Sequence, residues 1–241
     1  KMSELSLPTE IVELPSKGVI YPKDHPLREG KVEIKYMTAR EEDILTNQNF
    51  IQKGIVLDKL LESVVITPHA LDNIHPGDKN AIMVSSRILG YGKDYFFNYD
   101  DVEYSVDLST LKPKSFDSSV FDSQGNFTFT LPHSQIEIKS KLLTSKDLDL
   151  IEKELEGLKK SKINTGGEVT TRLRYSIIAA DDIIDKTELK NFINNNLLAQ
   201  DSRALRAYTK DISPDVDMVY QLPNGEEIDI PIMLNFFWPD L

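Results

Sequence analysis

Val32, Ile34 and Tyr36 alternate with Glu33 and Lys35, a period of two that predicts a strand buried on one face. Upstream, residues to about Pro22 read as irregular to extended, with turn chemistry at Leu14-Pro15-Ser16-Lys17-Gly18. Downstream the period lengthens. Thr38 is placed to cap a helix, with Glu41 three residues on, the spacing of a capping box. Apolar residues at helical spacing continue through Ile44, Leu45, Phe50, Ile51, Val56, Leu57, Leu60 and Leu61 to about Val65. Gly54 and the Asn47/Asn49 pair predict that this run breaks into two or three helices. Another helix is expected after Pro76-Gly77-Asp78, with Ala81, Ile82, Ser85, Ile88 and Leu89 on one face and Gly90 as its C-terminal cap.

Two hairpins follow. Tyr95-Phe96-Phe97 and the alternating Val102, Tyr104 and Val106 flank Asp100-Asp101; Phe127, Phe129 and Leu131 face Ile136 and Ile138 across Pro132–Gln135. The Ser/Asp-rich stretch 112–124 between them reads as a mobile loop. Helices are then predicted from Ser145 to about Lys160, from Val169 to Ala180, from Lys186 to Leu197, and from a cap at Asp201 to Tyr208, with a loop at 163–167. A last hairpin is expected around Pro223-Asn224-Gly225, before the tail Phe236-Phe237-Trp238-Pro239. The fold class is therefore α+β: helices packed with several short antiparallel hairpins. The expected division is an N-terminal half 1–111, the loop 112–124 and a C-terminal half 125–241, or one continuous domain.

Composition narrows the chemistry. The 241 residues carry 28 Lys+Arg against 39 Asp+Glu, a net charge of −11, and no cysteine. No thiol nucleophile, disulfide or Cys-ligated metal is available. The acidic balance argues against a nonspecific grip on nucleic acid, which needs clustered cations. Residues 1–20 lack the apolar core of a signal peptide, with Glu4, Glu10 and Glu13 interrupting them, and no apolar run is long enough for a membrane span. His25, His69, His75 and His133 all fall in expected loops, without metal-ligand spacing. No HExxH, GxSxG or phosphate-binding glycine loop occurs. No cofactor or metal is expected.

Three constellations leave a choice. Asp181, Asp182 and Asp185 read as a helix–helix loop; the alternative is a divalent-cation site, and with a loop histidine a metal-assisted hydrolase. Arg172/Arg174 and Arg203/Arg206 read as internally paired or solvent-facing; the alternative is a nucleic-acid or acidic-partner contact. Phe236-Phe237-Trp238 is either docked in the core or offered to a partner.

Several segments resemble the T-even-type bacteriophage baseplate hub proteins, the T-four base plate protein family. They are Leu14-Pro15-Ser16-Lys17-Gly18 with Tyr21-Pro22, then Met37 to Leu45, Lys53-Gly54 with Leu57 to Leu61, and Gly77-Asp78-Lys79-Asn80. Arg87-Ile88-Leu89-Gly90-Tyr91-Gly92, Asp201 to Arg206 and Phe236-Phe237-Trp238-Pro239 complete the series, so the likeness covers almost the whole chain. The resemblance implies a tail-assembly protein, chaperone or structural hub subunit, without catalysis. Its partners would be other phage baseplate and hub proteins, met in the host cytoplasm during tail assembly or in the virion baseplate, with no nucleic acid and no membrane. Some relatives carry CxxC pairs on two short hairpins; here those places hold Phe97-Asn98-Tyr99-Asp100 and Gln221-Leu222-Pro223-Asn224. Both hairpins are therefore expected to stand by packing alone. Phe50, Arg203, Arg206, Phe237 and Trp238 are the candidate partner-binding residues.

Overall fold

The computed structural model describes residues 7–160 and 167–237; most of the expected loop 163–167 and Trp238 lie outside the described residues. Strand β1 (Thr9–Glu13) pairs antiparallel with β2 (Lys31–Lys35), which carries the expected alternation, Val32 and Ile34 inward. The β1 segment, expected to be irregular to extended, buries only Val12 and exposes Ile11, so its alternation is faint in the sequence. Three short helices follow: α1 (Ala39–Leu45), α2 (Gln48–Gln52) and α3 (Val56–Val64). They are separated where the asparagines and Gly54 fall.

The cap of α1 is more than local. Glu41 completes the capping box with Thr38 and is fully buried. Its carboxylate also accepts from Lys35 Nζ at 2.8 Å and Ser63 Oγ at 2.5 Å, tying α1 to β2 and α3. Burial pushes this carboxyl up, but the hydrogen bonds from Lys35, Ser63 and Thr38 outweigh it and hold the pKa at about 2.

The C-terminal cap of helix α4 (Pro76–Tyr91) falls two residues beyond the expected glycine: Gly90 stays helical against the Met37 side chain, and Gly92, at φ 86°, follows the last turn. Then β3 (Asp94–Tyr99) and β4 (Val102–Asp107) form a hairpin. Asp100 and Asp101 both adopt positive φ (48° and 60°), as a two-residue hairpin turn requires.

A three-stranded antiparallel sheet follows, in the order β5 (Asn126–Thr130), β6 (Glu137–Lys141) and, later in the chain, β7. Helices α5 (Ser145–Lys160) and α6 (Glu168–Ser176) precede β7 (Ile177–Ala180). The segment Val169–Ala180 was expected to be one helix. Its last four residues, Ile-Ile-Ala-Ala, instead extend and pair with β6, which offers them an open edge. Helix α7 (Lys186–Asn195) is capped by Asp185, which accepts from Thr187 and Glu188 backbone N–H groups. Helix α8 (Ala199–Ile212) starts before Asp201, so Asp201 is not its cap. The buried Asp201 carboxylate instead accepts from the backbone N–H groups of His133 (2.9 Å) and Ser134 (3.0 Å), bracing the β5–β6 turn. The chain closes with the hairpin β8 (Val219–Gln221) and β9 (Glu227–Asp229), then the turn of helix α9 (Leu234–Phe237). Among the described residues no helix is long and apolar enough to cross a membrane.

The apolar residues gather into two clusters. The first joins β1 to β4 with Val216, Met218, Ile230, Phe236 and Phe237. The second draws on Phe127, Ile138, Leu173, Ile177, Phe192 and Leu205. The cores therefore group differently from the expected halves: the closing segment, assigned to 125–241, packs with the first core. Segment 112–124, expected to be a mobile loop, is hydrogen-bonded in place. Lys114 donates to Asp215 O and Asp217 to Lys112 O, both at 2.8 Å, and Phe116 stacks on Phe121. Ile20 packs against both clusters. A Cβ on Gly125, whose φ is +80°, would lie 2.1 Å from the Ile20 carbonyl oxygen.

Two outcomes follow for stability. Gly125→Ala forces apart two backbones where the cores meet and is expected to cost about 1–3 kcal/mol, read by denaturant unfolding. The Glu41 carboxylate stabilises the fold above its ordinary pKa of 4.5, and that contribution drains away as pH falls toward 2. Glu41→Gln is expected to lower stability at pH 6, with the gap to wild type narrowing steadily as pH drops; a constant gap contradicts the assignment.

Candidate partner-binding site

The site is built on the first core. Its base is set by two buried charges that the sequence reading did not single out. Asp78, in the first turn of α4, is fully buried. Its carboxylate accepts from Ser16 N (3.0 Å), Ser16 Oγ (2.6 Å) and Tyr21 Oη (2.6 Å). Ser16 Oγ in turn accepts from Gly18 N, and Tyr21 Oη from His75 N, so both hydroxyl protons are directed at Asp78. Burial pushes the Asp78 carboxyl up, opposed by the Ser16 and Tyr21 hydrogen bonds. Burial, then the Asp78 charge, drives Tyr21 well above its usual value, and burial alone holds His75 at about 4, a neutral ring. The nitrogen Nδ1 of that ring caps α4 by accepting from Gly77 N.

Arg87, further along α4, is 3% exposed and, among the described residues, pairs with no carboxylate. Its guanidinium donates to Phe236 O (2.9 Å), Gly92 O (2.8 Å) and Asp94 O (3.4 Å). It also lies over the rings of Tyr91 and Tyr95, at 5.5 and 5.8 Å. Three backbone carbonyls are engaged at once, and the closing helix is thereby tied to the start of β3.

Arg87 floors a cleft of about 750 Å³ between the β3–β4 and β8–β9 hairpins. Aromatic rings join the hairpins: Phe97 meets Tyr220 edge-on at 5.4 Å and Tyr104 at 5.8 Å, and Tyr99 Oη donates to Glu226. The cleft is walled by Phe96, 57% exposed, and by Ile228 and Ile230, with Glu103 and Asp229 at its margins. A second groove, about 710 Å³, runs between Leu45 and Ile51 on one side and Met233 and Leu234 on the other.

The sequence-level candidates do not assemble into one surface. Phe237 is fully buried, edge-on to Phe236 at 5.5 Å, and so presents no side chain to a partner in this fold. Its neighbour Trp238 is outside the described residues. Phe50, on α2, is half-buried against the first core. Arg203 and Arg206 are exposed on α8, beside the second core, with Arg206 Nε donating to Ser202 O. Arg172 pairs with Glu168, and Arg174 with Glu154. Asp181 accepts from Glu137 N and Asp185 caps α7, so these carboxylates are used by backbone donors. Among the described residues, no group of three or more His, Asp or Glu side chains is placed to hold a metal ion.

No protein-family model, curated protein or solved structure matches this chain.

The placement of Phe237 is directly testable. Phe237→Ala removes a fully buried ring and is expected to cost about 3–5 kcal/mol in unfolding free energy. A variant as stable as wild type, but defective in binding other proteins, returns Phe237 to the contact surface.

Proposed function

We propose that the chain is a phage tail baseplate hub assembly protein, a chaperone or a structural hub subunit. It works by binding other baseplate and hub proteins and catalyses no reaction. One observation carries the reading: segments that resemble the family, far apart in sequence, are joined pairwise by buried polar side chains. Ser16 and Tyr21 of the opening segments meet Asp78 of Gly77-Asp78-Lys79-Asn80. Arg87 of the Arg87 to Gly92 segment meets Phe236 of the closing one. The likeness therefore includes residues that brace the framework of the first core, where a chance match of short surface motifs would not need to meet.

The surface agrees with a binding role. From Ser213 to the end the chain has no Lys or Arg, and none occurs from Asp94 to Leu111. An acidic face of this kind keeps an assembly component from associating with itself and selects partners of opposite charge. The protein would act in the host cytoplasm during tail assembly, and as a hub subunit would persist in the virion baseplate.

Co-expression with the tail proteins encoded beside it, followed by mass analysis of soluble intermediates and finished particles, tests the proposal. Recovery in intermediates alone is the chaperone outcome. Recovery in particles is the subunit outcome. Recovery in neither, from a folded and abundant chain, overturns the reading.

A further inference from the structure

The two hairpins differ in how their edges are used. The bond from Leu108 N to Lys93 O fixes which residues of β3 bond to β4: Tyr95, Phe97 and Tyr99 face it, while Asp94, Phe96 and Asn98 turn their N–H and C=O groups away. The Asp94 carbonyl is taken by Arg87. Those of Phe96 and Asn98 open on the cleft. On β9, the bond from Ile230 N to Met218 O directs Ile228 and Ile230 to β8 and leaves the Asp229 backbone turned to the cleft. The opposite edge of β8–β9 is covered where Lys112 and Lys114 bond to Asp217 and Asp215. Pro231 then ends the β9 edge, because it has no N–H to offer.

The charge on these hairpins is one-sided. Residues 94–111 and 213–241 together hold eleven Asp and Glu and no Lys or Arg. Lys93 neutralises Asp94 and Asp107 from just outside. Among the described residues, Asp100, Asp101, Glu103, Glu226, Glu227 and Asp229 have no ion-pair partner. Among the described residues, the only cation in the wall of the cleft, Arg87, is buried and committed to carbonyls.

We propose that the cleft edge of β3 is a docking site for an extended basic segment of a partner protein, added as a strand along Phe96–Asn98. Alternation along an added strand sends every second side chain to each face. One set meets the inner face made by Phe97, Tyr99, Ile228 and Ile230, and is apolar. The other set lies beside the exposed Phe96 and Asn98, one strand away from Glu103, and is Lys or Arg. Main-chain bonds supply affinity and the alternating side chains supply selectivity. This inference rests on the reading of the chain as a binding protein, but not on which assembly the partner comes from. A peptide in isolation therefore tests it independently of any tail protein.

The probe is a fluorescein-labelled Lys-Val-Lys-Val-Lys-Phe-Lys-Val peptide, titrated with the full chain and followed by anisotropy. Saturable binding that weakens with salt is expected, together with loss on N-methylation of alternate peptide residues on the edge-facing side. Glu103→Gln with Asp229→Asn, both at exposed positions, is expected to weaken binding by about fivefold at low salt, with thermal unfolding confirming an intact fold. No binding at millimolar protein overturns the proposal. So does equal binding of the Glu-for-Lys peptide, or of a same-composition peptide with the lysines grouped. An unchanged affinity in the double variant has the same force. Binding that appears only after removal of residues 238–241 assigns the cleft to the chain's own terminus and also overturns it.

Discussion

A buried carboxylate organises the first core. Asp78 sits where water cannot reach it, at the start of the longest helix of that core, and three donors must be delivered to it. Ser16 and Tyr21 deliver them from a segment some sixty residues upstream. That requirement sets the path of the opening loop, including the left-handed backbone at Lys17 and Gly18. It also anchors Tyr21, whose ring stacks on His25 at 4.5 Å. Leaving any of these donors unmatched in so dry a place would cost more than a typical hydrogen bond contributes. The loop and the helix are therefore ordered together or not at all.

The same device recurs. Glu41 joins a helix cap to a neighbouring strand and helix, Arg87 joins α4 to the closing turn, and Asp201 joins α8 to the turn between β5 and β6. In each case a charged side chain is withdrawn from solvent and bonded to another element, through side chains for Glu41 and through backbone groups for Arg87 and Asp201. Small two-stranded sheets have little area with which to define their mutual placement. Specific polar bonds supply the register that these hairpins cannot set by packing alone. Aromatic contacts among Phe97, Tyr104 and Tyr220 then complete the junction between the β3–β4 and β8–β9 hairpins.

What was legible in the sequence was local. Thr38 with Glu41 announced a cap, and Asp100-Asp101 a tight turn, because both depend on neighbours within four residues. The α+β class followed from the same periodicities. Ile177 to Ala180 misread as helix, since a four-residue apolar run has no period of its own and its partner strand lies some forty residues back. Asp201 looked like a cap for the same reason: its composition is that of a cap, while its use is decided by a distant turn. The cleft was still less visible. Nothing in Arg87 itself distinguishes a buried guanidinium from a surface one. The absence of Lys and Arg from the two hairpin segments was written plainly in the chain, but it acquires meaning only once those segments face each other.

The path of the polypeptide through its two cores has a consequence for biosynthesis. The buried residues of the second core lie between Phe127 and Leu205, so that core can form as soon as they leave the ribosome. The first core waits for Met218, Ile230, Phe236 and Phe237, which follow all the buried residues of the second core in the chain. Until then Leu45 and Ile51 lack Met233 and Leu234 opposite them, and Arg87 lacks the Phe236 carbonyl. The nascent chain therefore passes through a state in which its later portion is folded and its earlier portion is open, the reverse of the usual order of synthesis. A ribosome that stops short of Phe236 releases a molecule whose first core lacks two fully buried rings, exposed to the cell's quality control.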